Sequence, residues 1–137
     1  MSTKVGEAQI EIFNNAALEV VEDDDSNEIY VKGTDFPLWV SIEEEGQFIR
    51  LRTYLECKEG APLEDLPSLA ALCNDEYVLV NFTTTVYEDG RGYLNGIYYI
   101  YYNFGLIAPQ LVYSTKKFSS IFLAALREFD SEDKFFS

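Results

Sequence analysis

Aromatic and arginine side chains recur at every second position in the middle of the chain. Phe48, Arg50, Arg52 and Tyr54 alternate with other residues, and Trp39 lies in the segment before them. Aromatic residues and arginine are the types enriched at protein–protein interfaces. We therefore predict that these five residues form a partner-binding surface.

The two arginines can also be satisfied within the chain. Arg52 can stack on Trp39, and Glu43 can pair with an arginine of the neighbouring strand. Each such exposed contact stabilises a protein by no more than about 1 kcal/mol. A purely structural role is therefore the alternative to partner binding.

The composition gives little support to catalytic chemistry. The absence of histidine excludes triads with an imidazole base and zinc sites with histidine ligands. Cys57 and Cys73 are too few for a structural zinc site. Because 24 acidic residues produce close carboxylate pairs by chance, a carboxylate-based hydrolase is only a remote alternative. We predict no enzymatic activity, no catalytic residues, no metal and no cofactor.

An acidic segment early in the chain resembles part of a calcium-binding loop. Asp23, Asp25 and Asn27 match positions one, three and five of an EF-hand loop. However, Glu28 replaces the glycine of position six, and Thr34 replaces the glutamate of position twelve. We therefore interpret the segment as a solvated acidic loop, with weak, nonspecific divalent binding as the alternative.

The net charge limits the classes of partner. The formal net charge is −14, and half of the 24 acidic residues lie in the first 45 positions. This field repels nucleic-acid phosphates and anionic lipid headgroups. The tyrosine-rich run 98–102 lacks the neighbouring cationic residues that a nucleic-acid stacking platform needs. With no signal-peptide pattern and no long apolar run, we expect a cytoplasmic protein whose partner is another protein.

The first predicted secondary-structure element is a helix, and strands that carry the five candidate binding residues follow it. Apolar residues at helical spacing predict a helix from about residue 5 to Val21. The period then changes to two, which predicts strands at 28–32, 36–43 and 48–57. A two-residue turn at Glu45-Gly46 fixes the register of the last two strands. It sets Ile42 opposite Ile49, Val40 opposite Leu51, Phe36 opposite Leu55, Trp39 opposite Arg52, and Ser41 opposite Arg50.

Two further helices follow from apolar spacing. After Pro62 we predict a short amphipathic helix that ends at Asn74 as a left-handed residue. From Pro109 a broad apolar stripe predicts a long helix that reaches Phe129. The apolar positions of the short helix are Leu66, Leu69, Ala70 and Cys73, and those of the long helix are Leu111, Thr115, Phe118, Phe122, Ala125 and Phe129.

Between these helices lies a β-hairpin whose register has two solutions. Segments 77–87 and 93–102 are rich in β-forming residues and flank a glycine-containing turn. A two-residue loop pairs Val86 with Tyr93. A three-residue loop with a left-handed Gly90 pairs Tyr87 with Arg91 and reverses which tyrosines face the core.

The order is therefore α-β-β-β-α-β-β-α in one domain over residues 1–137. Because the aliphatic sets on strands and helices need each other, we predict an α+β fold with an antiparallel sheet and helices packed on one face.

This pattern resembles the YbjN-type family, described as bacterial sensory transduction regulators and similar in fold to type III secretion chaperones. The resemblance is carried by the element order, segment 69–74, the Asp89-Gly90 hairpin and the closing segment from Phe104 to Asp130. It includes no catalytic signature.

The resemblance implies a non-enzymatic regulator that acts through protein–protein contacts. The alternative is a cytoplasmic export chaperone that binds an extended segment of a secreted client by strand addition or in a groove. Together with the tyrosine-rich strands, the resemblance also implies a possible homodimer.

Overall fold

The computed structural model describes residues 4–16, 18–22, 28–43, 47–102 and 108–136, with side chains from residue 10 onward. The elements are α1 (Lys4–Asn15), β1 (Glu19–Glu22), β2 (Glu28–Lys32), β3 (Leu38–Glu43), β4 (Phe48–Glu56), a 3-10 turn (Leu63–Asp65), α2 (Leu66–Glu76), β5 (Asn81–Val86), β6 (Gly92–Tyr101) and α3 (Ala108–Phe129). The predicted α+β class is confirmed, and the described part of the chain adds one strand, β1, to the predicted order.

The described strands form one antiparallel sheet in the order β1-β2-β3-β4-β6-β5. Its centre is the β4–β6 ladder, nine residue pairs long, which joins the first four strands to the last two. The helices pack on one face, where Val40, Leu51 and Leu94 are fully buried. The other face carries no helix in the described part of the chain.

The predicted first helix is wrong in its second half. α1 ends at Asn15, and Glu19–Glu22 form the edge strand β1, in which Val21 lies opposite Tyr30 of β2. β-branched residues such as Val20 and Val21 fit a pleated strand well, and pairing with β2 overrides the helical spacing. The acidic segment 23–27, with its calcium-loop positions, lies outside the described residues.

The predicted register of β3 and β4 is confirmed, although the turn at Glu45-Gly46 lies outside the described residues. The alternation of aliphatic and other residues decides this register, because a slip by one residue would turn every aliphatic side chain away from the helices. The confirmed pairs are Ile42 with Ile49, Val40 with Leu51, Trp39 with Arg52, and Ser41 with Arg50.

The predicted pair of Phe36 and Leu55 is wrong, because β3 begins only at Leu38. Phe36 instead packs against α3, with its ring centroid 4.9 Å from that of Phe122. The Ser119 hydroxyl donates a hydrogen bond to the Phe36 carbonyl (2.6 Å) and also contacts the Phe36 amide nitrogen. The segment before β3 is therefore held by the helix layer.

The helix after Pro62 is α2, and its four predicted apolar residues are buried. Asn74 does not end it, since the helix continues to Glu76. The Asn74 side chain donates to the Phe82 carbonyl (2.8 Å) and accepts from the Phe82 amide (2.7 Å). These bonds fix α2 to β5, so tertiary contacts override the local signal for a helix end.

The three-residue solution is the correct register for the β5–β6 hairpin. The Tyr87 amide donates to the Arg91 carbonyl (2.8 Å), Val86 pairs with Gly92, and Gly90 has a φ of 89°. β5 begins at Asn81, later than predicted. Even-numbered residues of β6 from Gly92 to Ile100 therefore face the helices, and odd-numbered residues face the other side.

The long helix α3 covers the middle of the sheet, and its predicted apolar stripe is buried from Leu111 to Ala125. Gly96 of β6 lies directly beneath it, where an added Cβ would be 2.8 Å from Phe122 Cδ1. This close approach requires a residue without a side chain. No helix in the described ranges is long and apolar enough to cross a lipid bilayer.

The segment after α3 folds back against the sheet. The buried Asp130 carboxylate accepts hydrogen bonds from the backbone amides of Lys134, Phe135 and Phe136, at 2.9–3.0 Å. The Lys58 amide donates to the Phe135 carbonyl (2.8 Å). These bonds place the two phenylalanine rings in the core.

Candidate functional site

The sheet surface opposite the helices, here called the open face, brings all five predicted binding residues together. The strand register places them side by side. Trp39 of β3 lies opposite Arg52 of β4, and β4 also carries Phe48, Arg50 and Tyr54 on the same face. The open face includes Glu28, Tyr30, Trp39, Ser41, Phe48, Arg50, Arg52, Tyr54, Tyr93, Asn95, Ile97, Tyr99 and Tyr101.

Arg52 lies over two aromatic rings at the centre of the open face. The Trp39 and Tyr54 rings are stacked at 4.9 Å with an interplanar angle of 9°. The Arg52 guanidinium carbon is 5.3 Å from the Trp39 centroid and 5.7 Å from the Tyr54 centroid. The predicted stacking of Arg52 on Trp39 is therefore confirmed, and it makes one continuous surface of these three side chains.

The acidic partner of Arg52 is Glu28 of β2, and the cross-strand ion pair of Glu43 with an arginine, offered as part of the structural alternative, is not found among the described residues. Arg52 Nε and Nη2 donate to the two carboxylate oxygens of Glu28, each at 2.6 Å. This bidentate hydrogen bond raises the pKa of the Arg52 guanidinium, against the opposing effect of its partial burial. Glu43 lies beside Phe48 at the end of the sheet, away from this pair.

Arg50 is less completely satisfied than Arg52. Its Nη2 is 4.0 Å from Glu28 Oε2, an oxygen that Arg52 already occupies. Arg50 Nε is buried and has no hydrogen-bond partner among the described residues, and the same holds for Oγ of Ser41. Ser41 is directly opposite Arg50 on the neighbouring strand and only 2% exposed. Two polar groups at the centre of the open face therefore have unused hydrogen-bonding capacity.

The aromatic surface is wider than the sequence predicted. Tyr99 and Tyr101 of β6 contact the Phe48 ring at centroid distances of 5.3 and 5.8 Å. Tyr93 contacts Tyr54 at 5.8 Å. These tyrosines were missed because their direction depends on the loop length of the β5–β6 hairpin, which the sequence left open.

A second exposed apolar surface lies between the start of β5 and α3, and sequence reasoning missed it entirely. Here a cavity of about 60 Å³ is lined by residues that include Leu79, Tyr98, Tyr113 and Lys117. Leu79 and Tyr113 are 54% and 67% exposed, and Val78 beside them is 84% exposed. We call this surface the Leu79 groove. The short loop 77–80 carried no periodic signal that distinguishes it from the start of a strand.

The cysteines offer no activated nucleophile. Both Cys57 and Cys73 are buried free thiols. Desolvation raises the pKa of both, that of Cys73 to about 11, so the thiol form prevails at neutral pH. Across the described ranges no group of three or more Cys, Asp or Glu residues is placed to hold a metal ion. The chemistry that the open face offers is stacking, charge pairing and hydrogen bonding.

Solved structures share this fold at low sequence identity. A structure of YbjN from E. coli, described as "a putative transcription regulator", matches with a TM-score of 0.77 at 11% identity, covering 96% of this chain and 95% of that chain. An uncharacterized protein from Methanothermobacter thermautotrophicus matches with a TM-score of 0.67 at 13% identity, covering 92% and 96%. A chain of the HopA1–SchA chaperone–effector complex matches with a TM-score of 0.55 at 14% identity, covering 89% and 97%.

No curated protein matches the sequence. Residues 10–130 match the family YbjN, whose description is "Putative bacterial sensory transduction regulator". Because this match covers most of the chain, the protein belongs to the YbjN family.

Proposed function

We propose that the protein is a non-enzymatic regulator that acts by binding another protein through the open face. The observation that carries this proposal is the connected aromatic surface around Arg50 and Arg52, which no helix covers in the described part of the chain. Exposed apolar patches of this kind are typical of interaction sites, and aromatic residues and arginine contribute most of the binding energy at interfaces.

The regulatory part of the proposal comes from the family. Its description supports a role in sensory transduction, and the E. coli relative is described as a transcription regulator. Neither description identifies a partner. The net charge of −14 favours an indirect role through proteins over direct contact with nucleic acid.

Site-specific photocrosslinking tests the proposal. A photoreactive phenylalanine analogue replaces Tyr99 on the open face or Tyr113 on α3, which are 44% and 67% exposed. After irradiation in the source cells, we expect one protein to be captured at position 99 and not at 113. Capture at neither position, or equal capture at both, would contradict binding through the open face.

A second candidate function is that of an export chaperone that holds an extended segment of a secreted client. The fold match to a chain of a chaperone–effector complex and the exposed apolar Leu79 groove beside the edge strand β5 favour it. An extended client can add to such an edge and place side chains in a neighbouring groove. Capture of a secreted protein at position 113, with none at 99, would support the chaperone over the regulator.

We also propose that the protein can form a homodimer, as its family resemblance and tyrosine-rich strands imply. Exposed Tyr99 and Tyr101 give a second copy a surface to contact. Sedimentation velocity at increasing protein concentration checks this, and a strict monomer at high micromolar concentration would contradict it.

A further inference from the structure

We infer that the open face recognises a carboxylate side chain of its protein partner, which Arg50 and Ser41 bind together. This inference rests on the proposed function and adds the chemistry of the partner to it. The expected partner segment is extended and carries an aspartate or glutamate flanked by apolar side chains.

Positive charge exceeds negative charge at the centre of the open face. Arg50 and Arg52 share one acidic neighbour, Glu28, within 4.0 Å among the described residues. Arg52 engages both oxygens of that carboxylate at 2.6 Å, whereas Arg50 reaches one of them only at 4.0 Å. The centre of the face therefore carries a local positive charge in a chain whose net charge is −14. A carboxylate is the group that complements it.

Two polar groups at the same centre have unused hydrogen-bonding capacity within the described structure. Arg50 Nε and Ser41 Oγ are buried without a partner within the described structure, and they lie on directly opposed residues of β3 and β4. A buried donor without an acceptor destabilises a protein. A carboxylate can accept from a guanidinium N–H with one oxygen and from a hydroxyl with the other. Both atoms are shielded from solvent in the unbound chain, whereas the Arg50 side chain as a whole is 34% exposed. Binding therefore includes a turn of the Arg50 side chain toward the incoming carboxylate, which then accepts from both groups.

The aromatic rings beside Arg50 favour a carboxylate on a protein segment over a free small acid. The Phe48 and Tyr99 rings, 5.3 Å apart and nearly perpendicular, lie beside Arg50 on the same face. A small acid would leave these rings in water. An extended segment with apolar residues on either side of its acid covers them and gains apolar contact area.

The experiment begins with random peptides displayed on phage and selected against the wild-type protein. We expect the selected peptides to share one aspartate or glutamate between apolar residues. The most enriched peptide is then synthesised with this acid and with the corresponding amide, and calorimetry measures the affinity of each. Since losing a hydrogen bond between charged groups weakens binding markedly, the amide should bind about tenfold more weakly or worse.

Protein variants locate the site. Arg50→Gln should lower the affinity for the acidic peptide by about tenfold. Arg50→Lys should lower this affinity by less, because lysine keeps the charge but not the planar N–H groups. Ser41→Ala should cause a smaller loss. Arg127→Gln, the same change at an exposed position of α3, should leave the affinity unchanged. Circular dichroism confirms that each variant is folded.

The outcomes separate this inference from the proposed function. The carboxylate site is overturned if the selected peptides share no acid, or if they bind wild type and Arg50→Gln with equal affinity. In that case, weaker binding of the same peptides to Tyr99→Ser would still support binding by the open face. If no peptide is selected, or neither variant changes binding, both proposals fail. Concentration-dependent self-association that Arg50→Gln abolishes would assign the site to a second copy of the chain and overturn the inference.

Discussion

Leu51 and Arg52 are neighbours in β4 but belong to opposite faces of the sheet. Leu51 is fully buried beneath the helices, where its neighbours are aliphatic and phenylalanine side chains. Arg52 lies on the open face among aromatic rings and a carboxylate. The helix-covered face is completed by the chain itself, whereas the open face keeps exposed rings and unpaired polar groups in its described part.

The two faces therefore have separable tasks, one in stability and the other in the proposed binding. Apolar burial against the helices supplies most of the stability of such a domain. Apart from the buried Ser41, the named residues of the open face are only partly desolvated, so their substitution should affect binding more than folding. Substitutions on the two faces should therefore differ in how much they change the free energy of unfolding.

The largest effect is expected from removing a ring on the helix-covered face. Phe122 is fully buried and contacts both Phe36 and Phe82. Phe122→Ala should lower the free energy of unfolding by about 3–5 kcal/mol, measured by urea denaturation. Tyr101→Ala, which removes a ring that is 69% exposed on the open face, should cost less than about 1 kcal/mol. Similar losses of unfolding free energy in both variants would contradict the proposed difference between the two faces.

A second effect should come from adding one methyl group at Gly96. Its Cβ would lie 2.8 Å from Phe122 Cδ1 and 3.3 Å from Val80 Cγ1. Gly96→Ala should therefore destabilise the fold by about 1–3 kcal/mol through overpacking. Combining it with Phe122→Leu should recover part of that loss, which a double-mutant cycle measures. Strict additivity would show that the close approach to Phe122 is not the cause.

A smaller effect is expected from the ion pair of the open face. Glu28→Gln weakens the bidentate contact with Arg52 and should reduce stability by about 1 kcal/mol at low salt, and by less at high salt. The exposed pair of Lys134 and Asp65, at 3.4 Å, provides the control. Asp65→Asn should change the free energy of unfolding by less than Glu28→Gln, and the reverse order would contradict this prediction.

The smallest effect on stability is expected at high pH, from the ionisation of two tyrosine side chains at the rims of the two faces. Tyr77 donates to Glu128 at 2.5 Å, which raises the pKa of Tyr77 to about 12, and Tyr93 donates to Glu56 at 2.6 Å, which also raises the pKa of Tyr93. A raised phenol pKa contributes stability below the unfolded value of about 10, and this is lost as pH rises towards the folded value. NMR titration of the tyrosine rings should show Tyr77 ionising at about pH 12 and Tyr93 ionising above the ordinary phenol value of about 10. Midpoints at the ordinary phenol value for both rings would contradict this.

Much of the site followed from the sequence because the residues of β3 and β4 alternate strictly and a turn signal separates the two segments in the sequence. That pattern was enough to place Trp39 beside Arg52 and Ser41 beside Arg50. Glu28 was not assigned to Arg52, because the β2–β3 register depends on a connection without a tight-turn signal. β1 was missed for a related reason, since a four-residue edge strand owes its existence to pairing with β2 and not to local preference.

The tyrosines of β6 show how one residue of loop length decides a surface. Two loop lengths were compatible with the Asp89-Gly90 turn. Tyr99 and Tyr101 lie on the same face as each other in both cases, but one loop length places them on the helix-covered face and the other on the open face. The left-handed Gly90 and the bond between the Tyr87 amide and the Arg91 carbonyl select the three-residue loop. The Leu79 groove was unpredictable for another reason, because it forms between segments distant in the sequence.

The nine-pair ladder between β4 and β6 has a consequence for the order of folding. The β3–β4 and β5–β6 pairs are local in sequence, whereas the β4–β6 ladder joins residues about as far apart as Phe48 and Tyr101. Closing so long a loop costs more chain entropy than closing either local pair, and non-local pairing slows folding. We therefore expect the two local pairs to form first and their joining to limit the rate. Arg50 and Tyr99 meet across that ladder, so we expect the tyrosines of β6 to join the open face only in the last step, after the β3–β4 pair has placed Ser41 beside Arg50.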